Sequence, residues 1–334
     1  MNNSGYSGMK INLSLLLITS LFFTVSKIHA QPAKLYYFIT KDSLVGVKDQ
    51  KGKIIILPRE SLRYAYEDTV KPITDKVIYM DAHPGEAIEP HSWGSAYSRE
   101  GKFLFAPFTF DNGPDYFSEG LTRFVKDKKI GFANRDGEIV IAAKYDYADA
   151  FNYGTAWYCN GCTWKYRGEH AFVSGGYNGY INKKGDTLAI IKDSRNKKDQ
   201  PVDSTGFLPY QYAYSPLEQK IVDSFYRLPS IAQSYFVNYV DNMTPEEKQL
   251  HYEIAEKPRP SFPYYRIAVY NYSKRWGYRA LLWEGMNFAV SADGKDFYFL
   301  DYDDTKTPLQ QWLQQNEREA RAYLKDHPEM PNRF

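Results

Sequence analysis

Ile130-Gly131-Phe132-Ala133-Asn134-Arg135-Asp136-Gly137-Glu138-Ile139-Val140-Ile141 decides how this chain is read. An apolar run with an early Gly ends at Asn134. Two polar residues follow, and a second Gly opens another apolar run. Asn-x-x-Gly is a hairpin turn, because the Asn side chain accepts local backbone bonds and Gly takes the positive φ. The flanking runs are its two strands. The early Gly131 marks a bulge or a close backbone approach.

The unit recurs. Val45-Gly46-Val47-Lys48-Asp49-Gln50-Lys51-Gly52 and Asn178-Gly179-Tyr180-Ile181-Asn182-Lys183-Lys184-Gly185 repeat it, each followed by apolar residues. Trp93-Gly94 through Gly101-Lys102-Phe103 is a less regular copy, with one extra residue between its glycines. The turn glycines are Gly52, Gly101, Gly137 and Gly185, at intervals of 49, 36 and 48. The base period is about 35, within the range of stacked repeat architectures. A second element recurs between the turns: Phe117-Ser118-Glu119-Gly120 matches Phe151-Asn152-Tyr153-Gly154.

These residues resemble the WG (Trp-Gly) repeat family. The closest stretch is 117–151, through Phe117, Glu119-Gly120-Leu121, Ile130-Gly131-Phe132, Asn134, Gly137, Val140-Ile141, Lys144-Tyr145-Asp146 and Phe151. Val45, Ile130 and Asn178 replace the Trp, and only Trp93-Gly94 keeps the pair. The resemblance covers about 35–192. It implies a binding or scaffold module common in exported and cell-surface bacterial proteins, and it specifies no chemistry. One hairpin cannot bury its apolar face, so such units stack. The expected fold is mainly β: an array of antiparallel β-hairpin repeats, as an open twisted run or partial barrel, followed by a small α+β domain.

Composition agrees. Of 334 residues, 17% are aromatic, with 30 Tyr and 20 Phe, residues that favour half-buried strands. A formal charge of +2 excludes a general polyanion binder driven by net charge, so no nucleic-acid partner is expected.

Lys10, the apolar run 11–25 and Ala30-Gln31 give an export signal over 1–30. The run is about 15 residues, short for the ~20 that span a bilayer. An uncleaved anchor is the other reading of the same segment. Cleavage removes Lys10 and Lys27 and brings the formal charge from +2 to 0. The mature chain is expected to be periplasmic or extracellular, associated with the cell envelope, and not integral to the membrane.

The third repeat interval holds an insertion with both cysteines, Tyr158-Cys159-Asn160-Gly161-Cys162-Thr163-Trp164. Redox chemistry wants the first Cys at a helix N-terminus, whereas Asn160-Gly161 predicts a tight turn between strands. A structural zinc needs four ligands, and only His170 lies near. A disulfide between Cys159 and Cys162, stapling the inserted hairpin, is favoured. No metal and no cofactor are assigned. Trp157, Tyr158, Trp164 and Tyr166 are candidate binding residues, as a stacking platform for sugar rings or peptides. As cross-strand aromatic pairs they would pack the hairpin without a ligand.

Residues 193–206 read as a polar linker between repeats at 31–192 and a domain at 207–334. Ser215-Pro216-Leu217-Glu218 opens a helix with a capping box. Thr244-Pro245-Glu246-Glu247 predicts another, to about Ala255. Strands are expected over 264–272, 276–283, 286–291 and 296–302, with a turn at Ala292-Asp293-Gly294-Lys295, then a helix from Thr307-Pro308 to about Leu324. The acidic Asp301, Asp303 and Asp304 lack the spacing of a calcium loop. No nucleotide or Gly-x-Ser-x-Gly motif is present.

The leading functional expectation is an exported non-enzymatic module that binds a protein or glycan of the envelope. The alternative is a hydrolase-like enzyme with its site in the C-terminal domain or at the domain junction.

Overall fold

Hairpin turns of one kind punctuate the first two hundred residues. In each, the side chain of the leading residue (Asp49, Ser98, Asn134 or Asn182) accepts two backbone N–H groups, two and four residues on. Its carbonyl accepts the N–H of Gly52, Gly101, Gly137 or Gly185. All four glycines have φ between 79° and 85°, which a side chain disfavours.

The structure is a computed structural model that describes residues 1, 33–60, 69–82, 89–168, 170–202, 205–237, 243–275, 277–282, 286–301 and 304–329. The expected export signal, along with Trp276 and Asp303, lies outside the described residues. Lys34–Phe334 is one compact unit and Met1–Ala33 another.

The strands run in antiparallel order. β1 (Leu35–Ile39), β2 (Val45–Asp49) and β3 (Ile54–Arg59) form the first sheet. β4 (Ile78–Met80), β5 (Ser95–Tyr97) and β6 (Phe103–Pro107) follow, then the small pair β7 (Thr109–Phe110) and β8 (Gly113–Pro114). β9 (Leu121–Lys126), β10 (Lys129–Asn134) and β11 (Ile139–Tyr145) complete a six-stranded sheet of order β11-β10-β9-β6-β5-β4. β12 (Tyr147–Ala148), β13 (Thr155–Asn160), β16 (Tyr177–Asn182) and β17 (Thr187–Leu188) make the next sheet in that order. Between β13 and β16 the insertion forms its own hairpin, β14 (Thr163–Arg167) with β15 (His170–Ser174).

Gly46 and Gly131 both sit at register shifts in their ladders, as their place before a turn suggested. A Cβ on Gly131 would lie 2.6 Å from Ile141 O, and one on Gly46 3.0 Å from Ile56 O. Gly179 pairs with Tyr158, whose ring would lie 3.1 Å from an added Cβ.

The repeats stack through their turns. Gly101 lies against the Ile55 carbonyl, Gly137 against Leu104 and Gly185 against Ile141, each the third strand of the preceding unit. Gly52, in the first unit, has nothing within 4 Å. The apolar faces meet in successive cores around Val47 and Ile78, around Phe105 and Phe124, and around Phe132, Phe151 and Ile181.

The described part of the expected linker, 193–202 and 205–206, forms structure of its own. β18 (Gln200–Val202) pairs with β19 (Gly206–Leu208). Asp199, 6% exposed, accepts the N–H groups of Arg195, Asn196 and Tyr210. Burial alone would raise its carboxyl pKa; these bonds hold it below the usual value. Gly206 presses on Ile191 O as Gly101 does on Ile55 O. Gly206, at the start of β19 with a φ of 142°, thus makes a fourth such close approach.

Beyond it, α1 (Pro216–Tyr226) opens with the expected Ser215–Glu218 capping box, and α2 (Pro229–Tyr235) follows. The helix expected over 244–255 is corrected. Thr244 and Glu247 do bond reciprocally, but Leu250–Glu256 is strand β20. Leu250, Tyr252 and Ile254 alternate into the core while His251, Glu253 and Ala255 face away, a period of two. β21 (Tyr264–Ser273), β22 (Tyr278–Leu281), β23 (Asn287–Ser291), β24 (Phe297–Leu300) and β25 (Lys306–Pro308) complete the sheet, and α3 (Leu309–Asp326) ends the fold. The helices cover one face of this sheet through Ile221, Phe225, Ile231 and Leu313. Its other face, with Ala268 and Tyr270, meets Tyr153 of the repeats. The architecture is mainly β with a small α part, as expected.

Candidate functional site

Two regions concentrate polar and aromatic chemistry. The first is the contact between the repeats and the C-terminal sheet.

Glu253 is fully buried there. Its carboxylate accepts the hydroxyls of Tyr153 at 3.2 Å, Tyr210 at 2.6 Å and Tyr214 at 2.5 Å, and pairs with the Lys198 ammonium at 3.1 Å. Glu119, from the Phe-x-Glu-Gly element, accepts the Gly154 N–H at 2.9 Å and the Tyr270 hydroxyl at 2.5 Å. Burial first, then these carboxylates, push Tyr153, Tyr210, Tyr214 and Tyr270 well above a normal phenol pKa, so they stay donors. Lys183, from a repeat turn, donates to the carbonyls of Glu119 and Ala255 at 2.5 and 2.6 Å. Burial lowers its pKa, against the pull of Glu119 and Glu256.

Beside this, Glu256 binds Arg135 at 2.9 Å and Arg259, while Arg259 also reaches Asp136 at 3.0 Å. Burial would raise the Glu256 pKa, but Arg135, Arg266 and Arg259 hold it low. Arg135 and Asp136 are the central residues of one repeat turn, and Lys183 is a central residue of another. Sequence reading took those positions only as polar turn residues, and nothing local marked their partners far along the chain.

The second region is the inserted hairpin. Asn160-Gly161 is not its turn, which corrects that expectation: Gly161 has a φ of 73°, but β13 ends at Asn160 and the hairpin turns beyond Arg167. Cys159 and Cys162 are joined, Cα atoms 6.1 Å apart, at the bend where β13 gives way to β14. The pair therefore spans the base of the hairpin rather than its two strands.

The four candidate aromatics divide. Tyr158 points into the repeat core against Tyr145, ring centroids 4.9 Å apart. Trp164 stacks on His91 at 4.0 Å and meets Tyr147 edge-on at 5.3 Å, which fixes the hairpin to the body. Trp157 lies on the opposite face of β13 from Tyr158, tilted against Tyr147 at 5.9 Å. Tyr166 stands alone, 65% exposed. Trp157 and Trp164 are thus brought together through Tyr147, which sequence reading had missed. Asp149 completes the group: its Oδ1 accepts the Tyr147 hydroxyl at 2.8 Å. Asp149 is exposed yet crowded, and loss of bulk water raises its carboxyl pKa against the effects of Tyr147 and Arg123.

Among the described residues no group of three or more His, Cys, Asp or Glu is placed to hold a metal. No described helix is long and apolar enough to cross a membrane.

Residues 130–164 match the family model of the WG containing repeat. The C-terminal region matches no recognised family. No curated protein matches the chain. No solved structure matches it.

Proposed function

We propose that this WG-repeat protein is an exported binding or scaffold module that engages a protein or glycan of the cell envelope. The outer, aromatic side of its last repeats is the contact surface. One observation carries the reading: the two polar regions are used differently. At the junction, Glu253 is fully buried and its carboxylate is filled by internal donors. On the insertion and β16 the rings of Tyr166, Phe172 and Tyr177 are 65%, 45% and 64% exposed, and Trp157 on β13 is half-buried. Buried, satisfied polar networks fix a structure. Exposed aromatic rings offer surface for contact.

A groove of about 560 Å³ in the C-terminal part, lined by Ser224, Arg227, Phe297, Tyr298 and Leu309, is the space the enzyme alternative would use. Its Ser224 hydroxyl and Arg227 Nε both bond to backbone carbonyls of α1. They are not linked as an acid–base–nucleophile set.

The test is retention of an envelope component on the immobilised full chain, compared with Trp157→Ala and Tyr166→Ser variants of unchanged melting temperature. Loss of retention in the variants is expected; equal retention removes the surface from the proposal. N-terminal sequencing of the protein from the envelope should begin at Gln31; a chain starting at Met1 or Met9 would overturn cleavage in favour of the uncleaved anchor, and absence of the protein from the envelope would overturn export.

A further inference from the structure

We propose that the outer face of the β12-β13-β16-β17 sheet binds a hydroxyl-rich pyranose chain, with Trp157 as its stacking base and Asp149 as its hydroxyl acceptor. The proposal rests on the binding-module reading and gives that surface its ligand class.

The register builds the site. Tyr147 pairs with Cys159, Trp157 with Tyr180, and Tyr180 with Leu188, so these side chains share one face. Ala156, Tyr158 and Ile181 occupy the other face and form the core. Tyr147, Trp157, Tyr180 and Leu188 are each half-buried. The row runs across four strands, and Trp164 closes its β12 end against Tyr147. Packing at the ring edges holds the row in place while it stays partly open.

A pyranose offers an apolar C–H face and an edge of hydroxyls. Indole and phenol rings meet the first, and a carboxylate with unused lone pairs meets the second. Asp149 has such a lone pair: Tyr147 binds Oδ1, and no described residue donates to Oδ2. The Asp149 N–H bonds to the Trp157 carbonyl at 2.9 Å, so the residue just past β12 is tied directly to the one that carries the indole. The charge placed at the row is the Asp149 carboxylate. The cation that acts on it, Arg123, is buried in a bidentate pair with Asp115 at 2.8 Å. That disfavours phosphate- or sulfate-bearing chains and suits a neutral or amino sugar.

The experiment is calorimetric titration of the full chain with cellotetraose and with chitotetraose. Saturable binding of at least one is expected. Trp157→Ala and, as the milder change, Asp149→Asn should each weaken it roughly tenfold or more, the scale of a lost hydrogen bond to a charged group. Tyr116→Ala, which lies off the row, should leave it unchanged. No binding of either sugar, or binding indifferent to both row variants, overturns the proposal. If neither sugar binds while an envelope protein is retained in a Trp157-dependent way, the glycan assignment falls and the binding-module reading stands. If neither sugar nor envelope component is held, both fall.

Discussion

Replacing Gly52 and Gly101 in turn by Ala separates the two reasons a repeat turn needs glycine. Both have positive φ, 85° and 79°, so each substitution places an L side chain in the left-handed region, at about 1–2 kcal/mol. Gly52→Ala meets nothing else within 4 Å. Gly101→Ala sets its Cβ 2.3 Å from the Ile55 carbonyl oxygen, against 3.4–4 Å for ordinary contact. Ile55 belongs to the preceding repeat, so the two units must part by about 1 Å or the turn must distort. Overpacking of that kind costs about 1–3 kcal/mol more. Gly101→Ala should therefore destabilise by roughly 2–5 kcal/mol in all and Gly52→Ala by no more than about 2. Urea unfolding followed by far-UV circular dichroism measures both. Equal costs within about 0.5 kcal/mol, a margin ordinary surface changes reach, would refute repeat-on-repeat stacking through the turns.

Other outcomes follow from the junction and the insertion. Glu253→Gln keeps the shape but leaves one acceptor oxygen for four donors. The loss of two charge-assisted bonds should cost about 3–5 kcal/mol in chemical unfolding, and a change under about 1 kcal/mol would contradict the network. Burial, then Arg279 and Lys198, depress the His251 pKa from 6.5 to about 4. The unfolded chain thus binds the extra proton between those values, and stability should fall as pH drops from 6.5 to about 4. The loss, discounted for partial solvent screening, is about 1–3 kcal/mol. His251→Gln should flatten that part of the profile, and an unchanged slope would assign the loss elsewhere. Closing so short a loop as Cys159–Cys162 contributes about 2 kcal/mol at most. The double Cys→Ser variant should fold with a small drop in melting temperature, and thiol labelling of unreduced envelope protein should find no free Cys.

What the sequence made legible is what local chemistry determines. Asn134-x-x-Gly137 specifies its own turn, since the Asn side chain and the Gly φ act within five residues, and the same holds at Asp49, Ser98 and Asn182. The Ser215 cap was equally visible. The Thr244–Glu247 cap formed too but did not start a helix, because alternating Leu250, Tyr252 and Ile254 found a core that rewards a period of two. Long-range pairing decided the rest. Lys183 and Arg135 are charged residues in a turn, and only the fold reveals that they meet Ala255 and Glu256. In the candidate site Trp157 and Trp164 were found by composition. Tyr147 and Asp149 were not, because they sit on and just after a short strand whose partner is set by register.

The C-terminal part carries no repeat signature, yet it takes the place of a next repeat. Within the array, Ser118 bonds to the Phe151 carbonyl, and Glu119 caps the Gly154 N–H, tying one Phe-x-x-Gly turn to the following one. At the following turn those positions are Asn152 and Tyr153. Asn152 bonds at 2.8 Å to the Arg279 carbonyl and at 2.9 Å to the Leu281 N–H, both on β22, and Tyr153 reaches Glu253. The same two positions thus make the forward contact each time, and where the array ends their partners come from the C-terminal sheet. A stacked array must shield its last unit. Changing Ser to Asn and Glu to Tyr re-aims the same hydrogen-bonding positions at a different fold. The carboxylate then comes from Glu253 on the partner sheet instead of from the turn. On this argument the C-terminal part is first a cap. It covers the Phe-x-x-Gly turns, Gly120 lying against Glu256 and Gly154 against Gln211, as a next repeat would.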